Sequence, residues 1–140
     1  DRIRYGSAVL TVVAPNARER TGKEMNDASL VFLLESGGRR ALFTGDTGSG
    51  VERRLVRDYE LSVDVLKVPH HGSRFSSSRE FLDELQPTVA VIGVGKNSYG
   101  HPTREALSRL KGAGAKVFRT DEDGSIRVTF GERIEVFSWD

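Results

Sequence analysis

One aspartate and three histidines occur in clusters that follow apolar runs. Thr44-Gly45-Asp46 comes after Ala41-Leu42-Phe43, and Pro69-His70-His71-Gly72-Ser73 comes after Val63 to Val68. Asn97-Ser98-Tyr99-Gly100-His101-Pro102 follows Val89 to Val94 in the same way. Carboxylates and imidazoles are the side chains that hold divalent cations or move protons near neutral pH. Each apolar run reads as a buried strand, and open α/β sheets place reactive groups beyond the carboxyl ends of their strands. All three clusters therefore have a route to one edge of one sheet.

Asp46, His70 and His71 are the candidates for catalysis. Adjacent residues on an extended chain point to opposite sides, so at most one of His70 and His71 is expected to face a metal directly, leaving the other to serve substrate or to support the metal's ligands. Gly72 and Ser73 add a closely approachable backbone and a hydroxyl, which suit a phosphate or another oxyanion. His101, with Asn97, Ser98 and Tyr99, precedes a helix whose free N–H groups attract anions, so it is expected to contact substrate rather than metal. Each cluster also has a purely structural reading: Asp46 as a turn or cap residue, the histidines as loop hydrogen-bonders, His101 as a cap. Asp64, Lys67 and Asp121 are weaker candidates. Asp64 reads as packing or turn chemistry, and Asp121-Glu122-Asp123 as a solvated turn.

The elements that must carry these groups alternate between hairpins and βα units. A strand at Ala8 to Val13 precedes a polar, flexible loop over 14–27. Ser29 to Leu34 and Arg40 to Phe43 form a hairpin in which Gly37-Gly38 supplies the positive φ of a tight turn. Ser49 and Glu52 have capping-box spacing before a helix over about 50–59, whose outer face carries Arg53, Arg54 and Arg57. A strand over 63–68 leads to a second box at Ser77 and Glu80, with Phe81, Leu82 and Leu85 inward. A strand over 88–94 leads to a helix with Pro102 in its first turn, and with Ala106, Leu107 and Leu110 on its buried face. A strand at Lys116 to Arg119 and a hairpin of Ser125 to Phe130 with Arg133 to Phe137 close the chain. The sum is an α/β mixed sheet with about three helices.

Composition narrows the chemistry. At 140 residues the chain fits one domain, and 21 basic against 20 acidic residues leave no global field toward nucleic acid or membrane. Cysteine is absent, so any metal must be held by His, Asp or Glu. No apolar run approaches the roughly 20 residues of a membrane span. Gly45 to Gly50 lacks the lysine of a P-loop and does not match a dinucleotide fingerprint, which argues against nucleotide binding.

Taken together, Asn26 to Ser29, Leu42 to Asp46, Asp64 to Ser73, Asn97 to Pro102, and Arg119-Thr120-Asp121 with Gly124 closely resemble the C-terminal metallo-β-lactamase-like domain of ComEC-type DNA-uptake competence proteins. The resemblance covers residues 26 to 130. It implies half of an αββα sandwich, with one or two ions of zinc or manganese, and hydrolysis of a phosphodiester. On that pattern Asp46 bridges the metals, one of His70 and His71 is a ligand and the other lies near the scissile phosphate, while Ser73, Asn97, Tyr99 and His101 serve substrate. The early His-x-His-x-Asp-His motif of that superfamily is missing, since no histidine precedes His70. The expectation is therefore a fragment, inactive alone, from a bacterial inner-membrane protein. Its partners would be single-stranded DNA, the membrane channel portion of the parent and the missing N-terminal half of the domain. Two other functions stay open: a metal-free module binding nucleic acid or an oxyanion, and a hydrolase of small phosphate esters. A half-sandwich exposes a sheet face, which predicts either self-association or closure by strands 8–13 and 125–137.

Overall fold

In a computed structural model, which describes residues 1–21 and 25–139, the apolar runs line up in chain order as one seven-stranded sheet. Its strands are β1 (Arg2–Tyr5), β2 (Ala8–Ala14), β3 (Val31–Ser36), β4 (Arg39–Phe43), β5 (Val65–Lys67), β6 (Val89–Ile92) and β7 (Lys116–Arg119). β1 to β4 are antiparallel because short turns join them; Gly37 and Gly38, at φ 57 and 75, make the β3–β4 turn. β4 to β7 are parallel because helices carry the chain back between them. The helices are α1 (Ala17–Thr21), α2 (Ser49–Asp58), α3 (Arg79–Leu85), α4 (Arg104–Gly112) and the single turn α5 (Thr120–Asp123). β8 (Ser125–Phe130) and β9 (Ile134–Trp139) form a separate hairpin. The mixed α/β sheet is the one the sequence predicts.

The pleat divides the strand residues between two faces. Leu33, Leu42, Leu66, Ala90 and Ile92 join Val51, Leu55, Phe81, Leu82, Leu85 and Leu110 in the main core, under the helices. Ala41, Val65 and Val89 face the other way, toward Val128, Phe130, Ile134 and Val136 of the hairpin. Phe32 and Phe43, directly paired across β3 and β4, stack at 4.6 Å on this second face. A cavity of about 300 Å³ remains between sheet and hairpin, lined by Leu34, Phe43, Lys67, Val91, Val128 and Phe130 among others. Closure by residues 125–137 is thus realised, whereas residues 8–13 lie within the sheet itself as β2, because their alternation matches that of β3.

Several local expectations are corrected. Ser49 and Glu52 form no capping box; α2 begins after Gly48, with no side-chain cap, and Glu52 points into the protein, fully buried. α3 is capped one residue later than expected, by Ser78, whose Oγ accepts from Phe81 N at 3.3 Å. Pro102 precedes α4, which Thr103 caps through Ala106 N. The Asp121-Glu122-Asp123 turn is the helical turn α5, and β1 is a strand that its charged, exposed residues did not announce. Within the expected loop 14–27, Asn16 and Glu19 cap each other reciprocally and start α1. Met25–Ala28 is a 3-10 turn, and residues 22–24 of that loop lie outside the described residues.

Candidate active site

Because β4 to β7 are parallel, their carboxyl ends share one edge, and Asp46, His70, His71, Ser73, Asn97, Tyr99 and His101 all follow strands that end there. The turn out of β4 is tied to the turn out of β5. Buried Thr44 donates its hydroxyl to Lys67 O at 2.6 Å, and His70 N donates to Gly45 O at 3.0 Å. Gly45 has φ +53, and a Cβ there would lie 2.9 Å from Ser29 Cβ, so only glycine makes this turn without displacing its neighbour. Asp46 follows with its N–H on Ser29 Oγ at 3.2 Å and its carboxylate half exposed.

His70 and His71 are not extended. Both lie in the left-handed region, at φ 49 and 52, a conformation that costs non-glycine residues roughly 1–2 kcal/mol each. The consequence is a division of labour. His71 turns to Asp46, with Nε2 3.5 Å from Asp46 Oδ1, while its Nδ1 lies 2.6 Å from Gly93 O. A carbonyl only accepts, so Nδ1 carries a proton, and Nε2 is the ring nitrogen that faces Asp46. His70 instead meets His101 edge-on, with ring centroids 5.6 Å apart. Gly72, at φ +79, makes the return turn; a Cβ there would sit 2.6 Å from Pro102 Cβ, and Gly72 O accepts from Thr103 N at 2.9 Å. The His70–His71 turn and the entry to α4 are thereby packed together.

The remaining candidates divide between surface and scaffold. Ser73 is 2% exposed, and its Oγ accepts from Phe75 N at 3.3 Å, so its hydroxyl shapes the turn. Asn97 spends its amide on its own loop: Nδ2 donates to Gly95 O and His101 O, and Oδ1 accepts from Tyr99 N and His101 N. Tyr99 is 80% exposed and lies 6.0 Å from His101, ring to ring. Burial, then the charges of His70, His71 and Arg74, holds His101 below the ordinary histidine value, against the pull of Asp46. Lys67 lies on the hairpin face, donates to Val68 O at 3.0 Å, and is held below the usual lysine range by burial, although Asp46 opposes this. Asp64 is structural, bonding Arg40 N at 2.8 Å and Arg39 at 3.1 Å; Asp121 pairs with Arg119.

Two residues outside the sequence-level candidate list hold this loop. The Glu52 carboxylate accepts from Ser77 N and, at 2.9 Å, from Ser78 N. Arg109 grips the same segment through its carbonyls, donating to Ser77 O at 2.8 Å, Ser76 O at 2.8 Å and Arg74 O at 3.0 Å. Burial raises the Glu52 pKa, against the lowering effect of these N–H donors and Arg109. Glu52 was hidden by its plausible reading as a cap; its one clue is its place beside Val51 on the apolar side of α2. The expected basic face is largely neutralised: Arg54 pairs with Glu19 and Asp58, and Arg57 with Asp58.

Among the described residues no three His, Asp or Glu side chains converge as a metal cage. Asp46 and His71 nevertheless fit as part of one. Their 3.5 Å separation is close to the roughly 3.3 Å between two donors on one tetrahedral ion, and the outer ring nitrogen of His71 is anchored on a carbonyl, as metal-binding histidines are. His70 is drawn away toward His101.

Comparison with known proteins finds relatives of the chain as a whole. The chain is 38% identical to ComE operon protein 3 of Bacillus subtilis over 129 residues, 91% of this chain and 16% of that protein. It is 38% identical to competence protein ComA of Neisseria gonorrhoeae over 116 residues, 81% of this chain and 17% of ComA. The chain is a homologue of a segment of competence proteins. Recombination protein 2 of Haemophilus influenzae matches 79% of the chain at 34% identity, over 14% of its own length. The chain thus spans only about a sixth of these relatives, and no family model matches it. No helix among the described residues of this competence-protein homologue is long and apolar enough to cross a membrane.

Proposed function

We propose that this chain is the C-terminal part of a metallo-β-lactamase-like domain that hydrolyses phosphodiesters of DNA during uptake, within a longer membrane protein. The pairing of Asp46 with His71, whose tautomer Gly93 O sets, carries the reading. In it Asp46 and His71 are two metal ligands, and the remaining donors come from outside this stretch. Zinc or manganese bound there supplies Lewis-acid polarisation of a phosphoryl oxygen and of a water. The chain's own residues do the rest. Gly93 O holds the His71 proton at Nδ1, keeping Nε2 available. His70 and His101, side by side at the lip, offer ring N–H groups to phosphate oxygens, and the Asn97 loop fixes the ring of His101 through its backbone. Ser73 holds the turn that carries His70 rather than touching substrate. The relatives' names, competence proteins among them, support a role in DNA uptake.

Calorimetric titration of zinc and manganese into the 140-residue chain tests this. A weak site is expected, since two ligands orient an ion poorly, and it should vanish in Asp46→Ala and in His71→Ala but persist in His70→Ala. Binding that survives Asp46→Ala would overturn the assignment. Loss of the basic face to ion pairs leaves the metal-free nucleic-acid module without its expected cationic helix.

A further inference from the structure

The outer ring nitrogen of His71 rests on one carbonyl, Gly93 O, so whatever fixes that carbonyl also fixes how His71 meets Asp46. Gly93 O shares a planar peptide unit with Val94 N–H, and in such a unit the two bonds point in opposite directions. Val94 N donates to Thr120 Oγ1 at 2.8 Å, while Gly93 O accepts from His71 Nδ1 at 2.6 Å. One rigid peptide is therefore held at both ends, by Thr120 on one side and by His71 on the other. The Thr120 hydroxyl closes the arrangement by donating to Val94 O at 2.7 Å. Its place follows from strand register. Ile92 of β6 pairs with Arg119 of β7 in a parallel ladder, so the residues that follow, Gly93 and Thr120, leave the sheet side by side. Asp123 Oδ2 accepts from Arg119 N at 2.7 Å and secures the turn α5, on which Thr120 sits. Lys67 fences Gly93 from another direction: a Cβ at residue 93 would lie 3.1 Å from Lys67 Cε, and Lys67 Nζ is anchored on Val68 O at 3.0 Å.

We infer that Thr120 is a positioning residue for this site: through the Gly93–Val94 peptide it holds the His71 proton at Nδ1 and leaves Nε2 for a metal ion. The inference rests on the reading of His71 as a ligand and deepens it. Of the Arg119-Thr120-Asp121 cluster that the sequence singles out, Arg119 spends its charge on Asp121 and Glu122, and Thr120 alone is tied to the site. An amide whose N–H is bonded carries more negative charge on its oxygen, so Thr120 also strengthens the bond that Gly93 O makes to His71. Thr120 lies at the surface, and water can replace its hydroxyl as an acceptor for Val94 N, but a water does not fix the direction of the peptide. A threonine that merely fastened the loop would leave the imidazole unchanged.

The test is nitrogen NMR of the histidine rings in the metal-free 140-residue chain at alkaline pH, where imidazole is neutral, followed by zinc titration at neutral pH. The parent should show His71 as the Nδ1–H tautomer. Thr120→Val, which exchanges the hydroxyl for a methyl of similar size, should move a measurable share of His71 to the Nε2–H tautomer. It should also weaken zinc binding about tenfold, the lower end of what such supporting groups are worth. Thr120→Ser keeps the hydroxyl and should restore both. The His70 and His101 rings should keep their signals in all three proteins, which separates this link from a general loosening of the edge. An unchanged His71 tautomer in Thr120→Val, a shift that Thr120→Ser shares, or an undiminished zinc affinity in Thr120→Val would each overturn the inference. The tautomer is read without metal, so a parent chain that binds no zinc removes the ligand assignment, while the link from Thr120 to His71 is still decided by the NMR result.

Discussion

The two loops that build the site are held in opposite ways. The segment from His70 to Ser78 is clamped by the rest of the protein: Glu52 from α2 takes its N–H groups, Arg109 from α4 takes its carbonyls, and Pro102 packs on Gly72. The segment from Asn97 to His101 holds itself, through four hydrogen bonds of one exposed amide. The difference teaches where strain can be stored. Two consecutive histidines in the left-handed region survive only where buried contacts over-determine the backbone, whereas a self-knit loop follows its solvent and its ligand.

The comparison breaks most severely at Glu52. Glu52→Ala leaves the N–H groups of Ser77 and Ser78 without their acceptor, removes the negative charge near Arg109, and should cost about 3 kcal/mol, read by denaturant unfolding. Glu52 also carries a pH signature. Its folded pKa is raised, so the native state holds the proton more tightly than the unfolded chain does. That stabilisation is complete below the ordinary carboxylate value and fades as pH rises through the higher folded value. Relative to Glu52→Gln, the parent should therefore lose stability across that window, and matching pH profiles would refute the burial argument.

Gly72→Ala comes next. The added methyl meets Pro102 at 2.6 Å on a backbone at φ +79, so a loss of about 2 kcal/mol is expected, together with altered His70 and His101 NMR signals. Asn97→Ala should do the reverse, costing less than about 1 kcal/mol while loosening Tyr99 and His101, seen as raised backbone mobility confined to 97–101. The smallest effect is electrostatic. Arg74→Ala should raise the His101 pKa toward its ordinary value, by NMR titration, since the Arg74 charge helps hold it down. In the parent, that depressed value means His101 favours the native state above the ordinary histidine range and loses that contribution as pH falls through its folded pKa.

Much of this architecture was legible as pattern. Val65, Leu66 and Lys67 alternate faces as a strand should, and the Gly37-Gly38 turn, the three main helices and the gathering of Asp46, His70, His71 and His101 at one sheet edge follow from period and punctuation. The failures have one cause. Ser49-x-x-Glu52 satisfies the capping-box rule locally, but Glu52 finds two stronger donors 25 and 26 residues away, and tertiary burial overrides the local option. The same competition moves the cap of α3 from Ser77 to Ser78, because Ser77 is held at φ +55 under Arg109.

The sequence by itself determined which groups reach the reactive edge, because strand period and helix crossovers are local properties of the chain. Only the tertiary structure decided that His71, rather than His70, faces Asp46. That choice depends on two left-handed backbones and on Gly93 O, just beyond β6 and 22 residues further along, which no local rule connects.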